Sequence, residues 1–322
     1  MEQLSQFFKQ ITNHNNREPK NLYNPIDYVL SQDGKHLRPQ MVYISTQLFN
    51  GPTEAALYPA AAFELLHNFT LIHDDIMDQA PQRRGEPSVY KKWNTNIAIL
   101  SGDAMATFAL QTMLQTPTTA DIKLELSHLI SKTSIEICEG QQYDLDFENQ
   151  KNVSISEYLK MIRLKTAVMI AGCLKAGAIL SQTSPKNQQI AYDIGINIGI
   201  AFQLKDDLLD IYGDNTVFGK INGGDIKENK KTYPLLRAIE DATPEQKLKL
   251  SNYLSLPDSK FEEKFMLIKK LYEELEIKKK CENLILEYGN QALNLLNTLD
   301  DINPKGKEVL QDWITRLRDR DK

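Results

Sequence analysis

Cysteine is scarce: Cys138, Cys173 and Cys281 are the only three in 322 residues, far apart and without metal-ligand spacing. So few thiols leave no disulfide framework and no zinc pattern, and they suit a reducing compartment. All three fall in apolar helical patterns, so buried free thiols are expected. Long hydrophobic runs are missing too. The best apolar stretches, 167–174 and 194–204, are short or broken by Gly, Asn and Gln. They fall below the roughly 18 residues of a membrane span, and residues 1–16 are polar, unlike a secretory leader. An excess of positive charge is also absent. Against 38 Lys and Arg stand 43 Asp and Glu, a net charge of −5, which excludes the basic stripe of a nucleic-acid binder. Local basic pockets for anionic ligands stay open. A cytoplasmic protein without a transmembrane segment or a nucleic-acid partner is expected.

Two-residue alternation is rare, and no sheet is expected. Helical periodicity dominates instead. Cys281, Leu284, Ile285, Tyr288, Ala292, Leu295, Leu296 and Leu299 recur at three- and four-residue steps, as one buried helix face requires. Ser154 with Glu157 reads as a capping box, and Pro244 after Thr243 as a proline in the first helical position. The pattern predicts helices near 2–13, 21–31, 37–49, 54–79, 94–115, 120–147, 154–181, 187–212, 232–241, 244–255, 260–278, 281–299 and 305–319. No linker or repeat divides them, so the expected architecture is all-α, one domain over 1–322. The longest predicted loop, 213–231, holds four glycines and follows an acidic cluster.

Two acidic clusters are the sharpest feature. Asp74-Asp75-Ile76-Met77-Asp78 places Asp74 and Asp78 on one helix face. Pro81 ends that helix, so like charges gather near a C-terminus, where the macrodipole already disfavours anions. Asp206-Asp207-Leu208-Leu209-Asp210 repeats the arrangement before Gly213. Oxygen donors without nearby His or Cys select a hard divalent ion, Mg²⁺ before Ca²⁺. Magnesium keeps several waters and shares its shell with substrate phosphates. Two facing clusters would hold a diphosphate through metals.

Basic residues accompany the clusters. Arg83-Arg84 follows the first, and guanidinium forks match phosphate oxygens. Lys35 and Arg38 stand beside Gly34. His67 lies seven residues before Asp74, on nearly the same face, where a core role competes with ligand contact. Lys165, flanked by Leu164, Ala167 and Val168, must snorkel or find an anion. Lys220 and Lys230 sit in the glycine-rich loop.

Together these residues resemble the trans-prenyl diphosphate synthases, the farnesyl/geranylgeranyl diphosphate synthase family. The resemblance rests on GKHLRP (34–39), ELLH (64–67), DDIMD (74–78), RRG (83–85), GQQYD (140–144), KT (165–166), FQLKDDLLD (202–210), FGK (218–220) and DIKENK (225–230). They occur in the family's order over nearly the whole chain. The resemblance implies a homodimer of all-α subunits, each a helical bundle around a central cavity (the isoprenoid synthase fold). It makes Asp74, Asp78, Asp206 and Asp210 the ligands of Mg²⁺, about three ions per site, supported from behind by Asp75, Asp144 and Asp207. Arg83, Lys165 and Lys220 would contact the allylic diphosphate, which could be dimethylallyl, geranyl or farnesyl diphosphate. Lys35, Arg38, His67 and Arg84 would take isopentenyl diphosphate. Thr166 and Gln203 would point oxygen dipoles at a carbocation, and Lys230 would close over the leaving group. Asp33 and His36 depart from the GGKRLRP of many members, and the basic C-terminus, 316–322, is interrupted by Asp319 and Asp321.

The implied reaction is ionisation of the allylic diphosphate, attack by the double bond of isopentenyl diphosphate, and proton loss. Product length would depend on Phe69 and Thr70. One residue rises about 1.5 Å along a helix, so Phe69 lies roughly 7.5 Å below Asp74. By resemblance, a bulky residue five positions before the first Asp limits growth. Phe69, with no two-residue insertion in the first motif, favours a C20 product, then C15. Ordinary core packing is the competing role for Phe69. A class I terpene cyclase and a non-catalytic helical partner subunit are the rival readings. The intact second aspartate motif and the second anion site, Lys35, Arg38 and Arg84, separate this chain from both.

Overall fold

The computed structural model describes residues 6–7, 17–32, 34, 36–213 and 223–319. The described residues are all-α apart from one two-stranded ribbon. The reason is the spacing of its apolar residues. Helix α1 (Lys20–Leu30) buries Ile26 and Val29, and helix α2 (Leu37–Leu48) buries Met41, Val42, Ile44, Ser45 and Leu48. Helix α3 (Leu57–Met77) is buried without a break from Pro59 to Leu66, so its first half has no polar face. A helix apolar all round must be surrounded by others. Its burial thins toward Met77, and that end carries the first acidic motif.

The chain divides into two compact units. One comprises Met1–Ser134, Met169–Tyr192 and Leu299–Leu310. Here α3 packs chiefly on helix α5 (Thr95–Leu114), with α2 and α1 beside that pair. Helix α8 (Val168–Leu180) lies close enough to α2 that a Cβ on Gly177 would stand 2.6 Å from the Ser45 side chain. The Asn303 amide donates to the Leu48 carbonyl at 2.8 Å, tying the last segment of this unit to the end of α2.

The other unit comprises Ile135–Val168, Asp193–Thr298 and Gln311–Lys322. Its helices are the second half of α6 (Ala120–Asn149), α7 (Ile155–Ile162), the second half of α9 (Pro185–Tyr212), α10 (Gly224–Lys227), α11 (Tyr233–Asp241), α12 (Pro244–Leu254), α13 (Phe261–Glu274), α14 (Ile277–Leu296) and most of α15 (Pro304–Asp319). Both expected starts are capped. Ser154 and Glu157 form a reciprocal capping box, and Thr243 does the same with Gln246 ahead of Pro244. The α7–α8 helix is interrupted by a π-helical turn, Arg163–Ala167, in which the Val168 amide donates to the Arg163 carbonyl five residues back.

Three expectations are corrected. The single helix predicted over 154–181 carries that π turn. A ribbon, Gln82–Arg83 with Glu86–Pro87, follows the first motif. Its two-residue tip, Arg84 (φ 54°) and Gly85 (φ 81°), has the positive φ values of a tight hairpin; strands of two residues leave no alternation to detect. Cys138 is exposed, while Cys173 and Cys281 are buried, and none of the three is in a disulfide. Helix α5 is, by length and composition, apolar enough to cross a membrane; Ser101, Asp103 and Gln111 break its apolar run without lowering the average enough. Of the predicted helix 2–13 only residues 6–7 are described, and they are helical, while the loop core 214–222 lies outside the described residues.

Candidate active site

Each acidic motif occupies the last turns of its helix, and each splits by direction. In the first, Asp74 is half-buried, Asp78 is exposed as the C-cap of α3, and Asp75 is 3% exposed. Asp75 points back into the fold, where Arg83 holds one of its oxygens through Nε at 2.8 Å and Nη2 at 2.6 Å. Burial raises the Asp75 carboxyl pKa, with Arg83 opposing the shift and Asp78 adding to it. The ribbon exists in part to deliver that guanidinium.

The second motif closes α9. Asp206 is exposed and Asp210 half-buried, while Asp207 is 4% exposed. Asp207 accepts from the Tyr158 hydroxyl, from Gln203 Nε2 at 3.0 Å and from the Tyr233 amide. Burial pushes its carboxyl upward against those donors. Asp210 accepts the Gly224 and Asp225 amides at 3.2 and 3.1 Å, and its own carbonyl takes the Gly223 amide at 2.7 Å. It therefore anchors the start of α10, where free N–H groups favour a carboxylate.

Around the second motif stands the cationic set. Lys165 finds the anion its apolar flanks demand: Nζ lies 2.6 Å from Asp144 Oδ2. Lys230 Nζ lies 3.8 Å from the same oxygen. Burial would raise Asp144, but Lys230 and Lys165 outweigh it and hold the carboxyl below its ordinary range. Thr166 Oγ1 donates to Gln203 Oε1 at 2.9 Å. The π turn lets consecutive residues Lys165 and Thr166 both engage neighbours on α6 and α9; such turns gather at functional sites.

A second basic group assembles near the N-terminal end of α2. His67 is held well below its usual imidazole range by burial first, then by Arg38, Arg84 and Arg83. The Arg84 guanidinium lies flat on Gly34, 3.4 Å from where a Cβ would stand. His36, in the left-handed region at φ 44°, meets buried Glu64 through Nδ1 at 2.9 Å, and the other Glu64 oxygen has no hydrogen-bond partner. Phe69 stacks edge-on against His73 at 4.8 Å, and Thr70 caps the His67 carbonyl at 2.8 Å. Lys35 and Lys220 lie outside the described residues.

Three participants escaped sequence reading. Glu64 lies inside the ELLH motif but reads as one more helical acid. Tyr158 is seven residues before Lys165, hence on nearly the same helix face. Asp225 opens the DIKENK segment; burial, then Asp207, Asp210 and Glu228 against Lys230, raise its carboxyl to about 7.

Among the described residues no three His, Cys, Asp or Glu side chains form a ready-made metal cage. Magnesium does not need one. It takes one or two carboxylates and completes its shell with water and phosphate oxygens. The exposed carboxylates of Asp78 and Asp206 and the half-buried one of Asp74 are donors of that kind, while each oxygen of Asp210 already accepts a backbone amide and keeps only its remaining lone pairs for a metal.

A family model described as polyprenyl synthetase matches residues 19–275. The chain belongs to the polyprenyl synthetase family. Among curated relatives, the geranylgeranyl diphosphate synthase of Methanosarcina mazei is 40% identical over 222 residues, 69% of this chain and 68% of that protein. A crystal structure of a geranylgeranyl pyrophosphate synthase superposes with a TM-score of 0.92 at 39% identity, covering 100% of this chain and 99% of that one. The geranylgeranyl pyrophosphate synthase of Corynebacterium glutamicum, complexed with isoprenyl diphosphate and magnesium, gives 0.86 at 25% identity over 99% and 98%. The fold of this polyprenyl synthetase is thus the isoprenoid synthase fold. Its reaction class is trans-prenyl transfer, the joining of isopentenyl diphosphate to an allylic diphosphate. The cyclase reading falls with that assignment.

Proposed function

We propose that this polyprenyl synthetase is a magnesium-dependent geranylgeranyl diphosphate synthase acting as a homodimer in the cytoplasm, with farnesyl diphosphate as the alternative product. The observation that carries the reading is the cluster around the second motif. Lys165 and Lys230 converge on Asp144, while Thr166 and Gln203 share a hydrogen bond beside them. Cations placed where a diphosphate departs, next to oxygen dipoles placed where positive charge develops, form a site built for allylic ionisation.

In this reading Asp74, Asp78, Asp206 and Asp210 hold the metal, with Asp75, Asp144 and Asp207 behind them. Bound magnesium supplies neutralisation of the diphosphate charge. The chain's own residues do the rest. Arg83, Lys165 and Lys220 grip the allylic diphosphate, and Lys230 closes over it. Lys35, Arg38, His67 and Arg84 orient isopentenyl diphosphate; a neutral His67 donates or accepts without adding charge. Thr166 and Gln203 stabilise the cation, and apolar helix walls keep water from trapping it. No side chain is assigned as the base, and the released diphosphate takes the proton.

Phe69 supports the C20 assignment, as does the name of the Methanosarcina relative. The dimer reading is supported by α5, whose Leu100, Leu114, Ile99 and Leu110 are exposed, up to 60% for Leu100. The two units act as one catalytic domain. The test is incubation with radiolabelled isopentenyl diphosphate and C5, C10 or C15 allylic partners, with and without chelator. Chelator-sensitive extension stopping at C20 supports the assignment. Extension that stops at C15 selects the farnesyl alternative, and no extension with any primer overturns the catalytic reading.

A further inference from the structure

We infer that Tyr158 is a positioning residue: through Asp207 it decides which end of the Gln203 side-chain amide meets the reacting carbon. The inference rests on the catalytic reading above and deepens it.

The argument starts from Asp207. Both of its oxygens act as acceptors. Its Oδ2 takes the Tyr158 hydroxyl, and its Oδ1 takes Gln203 at 3.0 Å. The end of Gln203 that meets Asp207 must therefore be the NH₂ group, which fixes the orientation of the amide. The opposite end, Oε1, receives the Thr166 hydroxyl at 2.9 Å. Thr166 has then given away its only proton and has just lone pairs to turn outward. The chain Tyr158–Asp207–Gln203–Thr166 thus has one polarity, with negative dipole ends gathered at Gln203 and Thr166. Reversing Gln203 would bring an NH₂ group, the positive end of the amide, toward a developing carbocation.

Tyr158 is the outermost donor of that chain, and it is well placed to keep the polarity fixed. Its residue is 1% exposed, and Asp207 is 4% exposed. Burial and the neighbouring carboxylate push the phenol far above its ordinary pKa, so it stays a donor. Without the phenol, one oxygen of a buried carboxylate loses its partner. The carboxylate then turns toward its remaining N–H donors, and its hold on Gln203 loosens. Nothing in this route needs Tyr158 to touch substrate.

The test is Tyr158→Phe in the full chain, with melting temperature measured alongside kinetics. Loss of preorganised dipoles predicts kcat lowered by about tenfold, with KM for both substrates within about twofold, the split expected for a transition-state effect. An allylic diphosphate analogue carrying an ammonium in place of the cationic carbon loses affinity by a similar factor. A thiolo analogue, which stays uncharged at that carbon, binds as before. Asp207→Asn is the second variant. An amide at 207 can donate as well as accept, so it no longer compels the NH₂ end of Gln203 to face it, and ammonium-analogue affinity falls at unchanged thiolo-analogue affinity. Unaltered kcat and ammonium-analogue affinity in Tyr158→Phe would overturn the inference, as would equal losses for both analogues. If Tyr158→Phe does not fold, Asp207→Asn decides by the same two affinities. Absence of chain extension by the wild type would sink the catalytic reading itself, which separates the two failures.

Discussion

The Lys165 ammonium and the Asp144 carboxylate meet at 2.6 Å, with Lys230 approaching the same oxygen at 3.8 Å. One carboxylate thus holds two cations from different parts of the sequence in one place. Removing the nearer cation by Lys165→Met is expected to lower kcat about 10²-fold, the scale of losing one preorganised charge. Lys165→Arg should recover part of the loss. Asp144→Asn keeps both cations but releases their aim, so it should raise KM for the allylic substrate and lower kcat less than Lys165→Met. Steady-state kinetics on the three variants checks the order.

His67 gives a pH prediction with a definite sign. Burial and the guanidinium groups of Arg38, Arg84 and Arg83 keep the folded imidazole neutral far below its usual value. The unfolded chain takes up a proton there as pH falls through about 6.5 and the folded chain does not. Stability present above that pH is therefore lost as pH falls toward the folded value, by at most one proton, about 1.4 kcal/mol per pH unit. His67→Gln should flatten the fall in melting temperature between about pH 7 and pH 5. An unchanged slope would mean that other groups set the acid limit.

Phe69, five residues before Asp74, stacks on His73 at 4.8 Å. Phe69→Ala removes the ring and should lengthen the product beyond that of the wild type, read by chromatography of the dephosphorylated alcohols. The same product distribution in wild type and variant would leave Phe69 a packing residue.

Gly140 on α6 crosses the π turn at backbone contact. A Cβ there would stand 2.2 Å from the Lys165 nitrogen and 2.7 Å from the Leu164 carbonyl carbon, and backbone cannot rotate away. Gly140→Ala should destabilise by about 1–3 kcal/mol, as overpacking does. Its effect on kcat should exceed what the lost stability explains, because the displaced atoms carry Lys165 and Thr166. Denaturant unfolding together with kinetics separates the two effects.

Much of this was legible in the amino-acid order because it is local. The Ser154–Glu157 box, the Pro244 start and the paired aspartates at helix ends are each written within a few residues, and each lies where expected. The demand of Lys165 for an anion was also legible, but not that Asp144 answers it from 21 residues away. Pairings of greater separation carry no local mark. Tyr158 and Asp207 are 49 residues apart. The ribbon at Arg83 and the exposure of Cys138 depend on what packs against them, which periodicity does not encode. The π turn is likewise silent, since its composition suits an ordinary helix.

That turn carries one residue more than regular winding requires. Deleting Leu164 should let the strand of hydrogen bonds close up as a continuous α-helix with its flanks still in phase. The expected outcome is a protein as hard to melt as its parent, or harder, that has lost the paired presentation of Lys165 and Thr166. In this stretch the chain has kept a surplus residue for the sake of aim, and robustness and turnover should be separable by a single codon.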